Sequence, residues 1–308
     1  MTDKSKGNAI LLLTAVVWGT GFIGQKLGNA VLPPIAFNSI RQMLAALLLC
    51  PILARSLRKS GYFSKEKNTA EQLERKKHEM IKAGILCGLF MLLGTNFQQI
   101  GLLTVSAGKS GFISSLYIVF TPLLSVAVGK RVNIRTFLCI AIAIGGFALL
   151  SLRGGLGGAT AGDWWTLASA FAFASQIVSV NYFVDRDNDI LISVMEMGAC
   201  GIAGILISIL IEHPQLAAIG ECMPIIIYTA CIPTAIGYTL QIVGQKYTDS
   251  TTAALIMSLE AVFAAVFGAI FLKEWMSMRE LLGCVVIFAA IILDQIELPN
   301  KKETEHEK

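Results

Sequence analysis

Three ionisable side chains stand in runs that are otherwise almost free of charge. Arg41 lies in FNSIRQMLAALLL, Glu196 in SVMEMGAC and Glu260 in SLEAVFAAVFGAIF. At 1.5 Å per residue they sit roughly 10, 9 and 12 Å into their segments. An ionised side chain at the middle of a bilayer costs roughly 2.5–3.5 kcal/mol on insertion scales, so such groups must face protein or water. Arg41 could dock a substrate carboxylate, or it could bond helix-end carbonyls, Glu196 or Glu260 in a structural role. Glu196 could exchange a proton or serve packing. Glu260 is the clearest candidate for a transport site, and Glu196 and Glu260 together are the candidates for proton coupling.

Neutral polar residues recur around these charges at helical spacing. Ser110, Ser114, Tyr117 and Thr121 fall at i, i+4, i+7 and i+11, one stripe of one helix. Tyr238, Gln241 and Gln245 share a face, echoed by Thr95 and Gln98, and Thr14, Trp18, Gly21 and Gln25 do the same near the N-terminus. Singly, Ser, Thr and Gln glue helices together. As a set facing one centre they describe a hydrated cavity with aromatic walls from Trp18, Phe22, Tyr117 and Tyr238. The expected cavity set is Trp18, Gln25, Arg41, Gln98, Ser114, Tyr117, Gln176, Tyr238, Gln241 and Glu260. Lys109 at a helix start could attract an anion or snorkel to the interface.

Enzyme signatures fail. Gly108-Lys109-Ser110 mimics the end of a phosphate-binding loop, but Leu103 stands where glycine is needed and no strand precedes it. His78, His213 and His306 lie outside the apolar runs, HExxH is absent, and Gly111–Ser114 is not a GxSxG elbow. No catalytic, metal or cofactor site is expected. The seven cysteines are scattered without a CxxC pair and are read as core packing. The net charge of +4 is small and segregated, and implies no nucleic-acid partner.

The elements that must position these groups follow from composition. Of 308 residues, 55% are hydrophobic and 15% charged, more apolar surface than a soluble domain of this length could hide. Ten apolar runs, 8–27, 35–54, 82–103, 109–128, 135–152, 164–183, 190–211, 222–245, 252–271 and 279–296, each approach the ~20 residues that cross ~30 Å of hydrocarbon. The expected fold is all-α, a polytopic membrane protein. The first run lacks an A-x-A cleavage site and reads as an uncleaved span. The charge-rich stretch 55–81 reads as a solvated helix or loop, 153–163 as a flexible connector, Trp164-Trp165 as an interfacial anchor, and 297–308 as a polar tail. With the N-terminus inside, 19 Lys and Arg fall on the inner side and 5 on the outer, which places both termini in the cytoplasm. Small-molecule substrate, lipid and possible protons are the expected partners; monomer and homodimer both fit.

Sliding the chain by 143 residues superposes 94–130 on 237–273 with nine identities in 37 positions, among them Gly94/Gly237, Gln98/Gln241, Gly101/Gly244 and Ser115/Ser258. Tyr117 then pairs with Glu260. Five spans per half (1–152 and 164–296) is an odd number, so the second half enters the membrane inverted, the architecture of alternating-access transporters.

VVWGTGFIGQK (16–26), FNSIRQMLAALLL (37–49), TVSAGKSGFISSLYIVFTPLL (104–124) and SLEAVFAAVFGAIFLKE (258–274) together resemble the drug/metabolite transporter superfamily, specifically its EamA-like ten-helix members. The resemblance implies ten helices, a 5+5 inverted repeat, and secondary transport, usually export, of small metabolites such as amino acids. The alternative reading is a receptor or scaffold that binds a small ligand without moving it.

Overall fold

The computed structural model describes residues 3–64, 67–127, 134–151, 159–184 and 189–295. Among them every regular element is helical: α1 (Asp3–Asn29), α2 (Pro34–Ser60), α3 (Ala70–Gly101), α4 (Ala107–Ser114), α5 (Tyr117–Ala127), α6 (Ile134–Ser151), α7 (Ala161–Phe183), α8 (Asp189–Ile211), α9 (Leu216–Thr229), α10 (Gly237–Gln245), α11 (Ser250–Met257), α12 (Glu260–Phe267) and α13 (Met278–Gln295). Wide π turns, Ala230–Ile236 and Gly268–Leu272, join α9 to α10 and extend α12. Joined end to end, these segments form ten rods among the described residues. Seven, at Asp3–Asn29, Pro34–Ser60, Ala70–Gly101, Ala107–Val126, Asp189–Ile211, Leu216–Gln245 and Ser250–Leu272, are long and apolar enough to cross a membrane. The expected runs at 135–152, 164–183 and 279–296 are matched by α6, α7 and α13.

The stretch 55–81 is mostly helix. α2 runs on to Ser60 and stops where Gly61 adopts a left-handed φ of 63°, and a Thr69–Gln72 capping box starts α3. Lys76 Nζ donates to the Tyr62 carbonyl (3.0 Å) and Asn68 Oδ1 (2.7 Å), tying the turn to α3. Thr160 and Asp163 form a second capping box at the start of α7. Most of the connector (152–158), residues 130–133, Arg186 and the tail 297–308 lie outside the described residues.

Polarity runs inside out. Leu47, Ile85, Leu206, Leu210, Ile270 and Phe271 are exposed, whereas Thr14, Asn38, Arg41, Gln98, Glu196, Gln241 and Glu260 are buried. Apolar surface outside and satisfied polar groups inside is the arrangement hydrocarbon selects. Trp164 and Trp165, half exposed, pack at a tilt against Phe147 and Phe97.

The contacts come in matching sets. α2 packs on α8, α6 on α13 and α4 on α12, while α1 packs on α10 and α12 as α7 packs on α3 and α5. Two glycines mark close approaches at helix ends. A Cβ on Gly162 would stand 2.7 Å from the Gly101 carbonyl oxygen, and one on Gly7 would meet Tyr247 Cβ at 2.7 Å and the Gly244 carbonyl at 3.2 Å. Helix ends can come this near only without a side chain.

Polar ties differ between the two ends of the bundle. Where α1 and α3 end and α2, α4 and α7 begin, Lys26 Nζ donates to the Leu102 and Val105 carbonyls (3.0 and 2.6 Å) and pairs with Glu274 (3.6 Å). Glu274 Oε2 accepts from the Ala107 backbone N–H (2.7 Å), so it caps α4. Glu212 accepts from the N–H groups of Ile35 and Ala36 (3.0 and 2.7 Å), closing the start of α2 in the same way. Lys109 pairs with the fully buried Asp163 at 2.7 Å, so it neither snorkels nor stands free. At the opposite end Thr248 Oγ1 and Asn8 Oδ1 meet at 3.4 Å and Lys6 lies over the Tyr247 ring.

Candidate functional site

The middle of the bundle holds a pocket lined by Trp18, Phe22, Gln25, Arg41, Gln98, Tyr117, Phe173, Gln176, Ile177, Pro233, Tyr238 and Glu260. Eight of the ten residues singled out from the sequence are in that lining. The other two stand one hydrogen bond behind it: Ser114 Oγ accepts from Gln98 Nε2 (2.9 Å), and Gln241 Nε2 donates to Gln176 Oε1 (2.9 Å).

Each wall has a reason to be where it is. Pro233 has no N–H to give and would clash with the carbonyl four residues back, so the helix widens into the Ala230–Ile236 π turn. The Pro233 carbonyl accepts from Trp18 Nε1 (3.1 Å). Trp18 in turn packs on Tyr238, ring centroids 5.0 Å apart and tilted by 57°. Thr234 Oγ1 donates to the Thr229 carbonyl (2.7 Å) and accepts from Arg41 Nη1 (3.1 Å). Arg41 Nε donates to Asn38 Oδ1 (3.1 Å), and Asn38 Nδ2 is itself fixed by Thr95 Oγ1 and Asn96 Oδ1, both 2.9 Å. Thr95 and Asn96 bond back to the Met91 and Leu92 carbonyls. Arg41 is 2% exposed, and no carboxylate of a described residue pairs with it. The expected structural pairing with Glu196 or Glu260 is therefore not made, and helix-end carbonyls are not its partners either.

Across the cavity Tyr117 and Glu260 are the first residues of α5 and α12. Both helices restart there after a tightened i→i+3 turn, Ile118 N–H to the Ser115 carbonyl (3.1 Å) and Ala261 N–H to that of Ser258 (3.1 Å). The Tyr117 hydroxyl lies beside the Glu260 carboxyl without a well-formed hydrogen bond. Glu196 is fully buried but stands behind the lining: Gln176 Nε2 donates to its Oε2 (2.9 Å), and Oε1 has no partner. Gln241 and Gln245 continue that chain to the Ile177 carbonyl.

The stripes contribute less than their spacing promised. Thr14 and Thr121 turn onto the Ile10 and Tyr117 carbonyls of their own helices, and Ser110 is buried away from the cavity. Sequence reasoning missed Phe173, Ile177 and Pro233 in the lining and Asn38 and Thr234 behind Arg41. Asn38 was findable, three residues before Arg41 on the same helical face. Thr234 was not, because the π turn moves it out of the α-helical register. Among the described residues no cluster of three metal-ligating side chains occurs. A lining of one cation, one carboxyl, amides and two tilted aromatic rings has the chemistry to hold a small polar solute.

Comparison with known proteins places the chain in a family. The model of the EamA-like transporter family matches residues 5–152 and again 160–293. The chain belongs to the EamA-like transporter family. Two curated relatives from Archaeoglobus fulgidus are described as uncharacterized transporters. One is 28% identical over 284 residues, spanning 92% of this chain and 83% of the relative; the other is 30% identical over 181 residues, spanning 58% and 63%. A chloroplastic WAT1-related protein of Arabidopsis thaliana is 24% identical over 92% of this chain and 68% of its own length. A solved crystal structure superposes with a TM-score of 0.66 at 17% identity, over 95% of this chain and 97% of that one, which shows a shared fold. The EamA chain is thus a multi-pass membrane transporter, and its recognition from sequence holds.

Proposed function

We propose that this EamA chain is a secondary transporter, working as an exporter, of a small metabolite such as an amino acid or related compound. It alternates access to the central cavity by rocking two five-helix halves, 1–152 and 164–296, in a ten-span inverted repeat. The observation that carries this reading is the chamber itself: a buried Arg41 without a carboxylate partner and a buried Glu260 line one pocket between elements of both halves. A receptor has no need of matched halves, and several features here match across the 143-residue offset. The tightened turns fall at Ser115–Leu116 and Ser258–Leu259. The N-caps fall at Ser106 and Asp249. The glycine approaches use Gly101, Thr104 and Val105 at one end and Gly244, Tyr247 and Thr248 at the other. The family model also matches once per half. Inverted halves can exchange conformations and so open one site to either side.

Glu260 is the first candidate for proton coupling and Glu196, one amide behind the wall, the second. The Lys and Arg distribution puts both termini in the cytoplasm of a cell membrane. A cysteine at Gln215 should then react with an impermeant thiol reagent in intact cells while one at Ser64 stays unlabelled; the reverse pattern would overturn the orientation. The transport reading is tested by counterflow in proteoliposomes with a panel of labelled metabolites led by amino acids. Accumulation of label above equilibrium against a preloaded substrate supports it. Saturable binding without any counterflow would leave the receptor reading standing instead.

A further inference from the structure

Arg41 is the cation of the chamber, and its bonding is left incomplete. Its Nε and Nη1 are occupied by Asn38 and Thr234, and Nη2 makes no hydrogen bond. The guanidinium is held from behind by acceptors that are themselves fixed, Asn38 by Thr95 and Asn96 and Thr234 by the Thr229 carbonyl. A cation buried with neutral partners alone is costly, and truncating or completing its pairing moves binding by large factors. A structural arginine would have been bonded to carbonyls or to the nearby glutamates. Here the partners are neutral side chains, and Arg41 lines the open space.

We infer that Arg41 is the anion-binding subsite of the chamber, and that the transported solute carries a single carboxylate. The inference rests on the transport reading but can fail separately from it. Two adjacent N–H groups match the two oxygens of a carboxylate, the pairing that makes arginine selective for planar anions. One guanidinium balances one negative charge, and Glu260 lines the same chamber. A dianion such as a phosphate ester would keep an unbalanced charge and meet that carboxyl as well. The tilted Trp18–Tyr238 pair beside Arg41 gives the rest of the solute an apolar wall.

The test uses full-length protein in detergent with Trp164, Trp165 and Trp275 replaced by Phe, which leaves Trp18 as the fluorophore. Those three tryptophans are surface-exposed, so their removal leaves the chamber intact. The probes are acid and amide pairs at constant ionic strength: acetate and acetamide, benzoate and benzamide, glycine and glycinamide. At least one acid should quench Trp18 saturably with a midpoint tenfold or more below its amide. Arg41→Gln should abolish that preference, and Arg41→Lys should keep part of it. If no acid outperforms its amide, or if folded Arg41→Gln binds acids like the parent, the subsite does not exist. Should Arg41→Gln fail to fold, the acid–amide comparison in the parent and the Arg41→Lys variant decide. Acid preference without counterflow would sink the transport reading and keep the subsite; counterflow without acid preference would do the opposite.

Discussion

Glu260 and Glu196 look equivalent in the sequence, one carboxyl in each of two apolar runs, yet the fold separates their roles. Glu260 opens α12 at the cavity wall, and Glu196 bonds only the outer side of Gln176. Glutamine preserves size and hydrogen bonding at either place, so the two substitutions isolate charge. Glu260→Gln should lower flux at least tenfold and remove its dependence on pH, with a detergent melting temperature within a few degrees of the parent. Glu196→Gln should keep most of the flux, since the new amide oxygen still accepts from Gln176. A normal Glu260→Gln beside a dead Glu196→Gln would reverse the assignment. At this scale charge against an apolar background was legible, because Arg41 and the two glutamates contrast with everything around them. Phe173 and Ile177 were not. An apolar side chain on an apolar helix gives no sign of whether it meets lipid, core or cavity.

Helix periodicity found the rods but not their interruptions. The runs 109–128, 222–245 and 252–271 were read as unbroken spans, whereas the chain tightens at Ser115–Leu116 and Ser258–Leu259 and widens around Pro233. Proline announces a disturbance but not its form. Widening to a π turn relieves the clash at the Thr229 carbonyl, which Thr234 Oγ1 then satisfies. Close packing was half legible: small residues were visible, but not which of them touch. Gly162 and Gly220 show the difference. Gly162→Val must push against the Gly101 backbone, whereas a Cβ on Gly220 in α9 meets nothing within 4 Å. Gly162→Val should destabilise by about 1–3 kcal/mol, and Gly220→Ala should stabilise by about 0.4–1 kcal/mol. Unfolding in mixed micelles followed by tryptophan fluorescence measures both. Equal stability of Gly162→Val and the parent would refute the close approach of α7 to the end of α3.

For the molecule as a whole, the proposed 143-residue repeat came from sequence identities, and positions that offset pairs carry like caps and turns. The inequality of the halves was not readable, since it lies in which partner each charge meets. Asp163, Glu212 and Glu274 all belong to the second stretch matched by the family model and all grip the first stretch at the same end, on Lys109, the start of α2, and Lys26 with the start of α4. At the far end Thr248 meets Asn8 and Lys6 lies over the Tyr247 ring, while the Lys246–Asp189 ion pair (3.1 Å) stays within the second stretch. A machine with unequal clasps has a preferred resting position. If both shapes were clasped alike they would be close in free energy, and solute alone would decide between them. With one set of clasps charged, the empty protein should idle with that end shut, and the slow stage of each cycle should be its release. Neutralising all three carboxylates (Asp163→Asn, Glu212→Gln, Glu274→Gln) should move that idle point. Spin labels at Leu103 and Trp275 should then lie farther apart than in the parent without any solute, and labels at Lys4 and Asp249 closer together. Distances that match the parent at both ends would mean that the clasps hold the fold together and leave its direction of rest to something else.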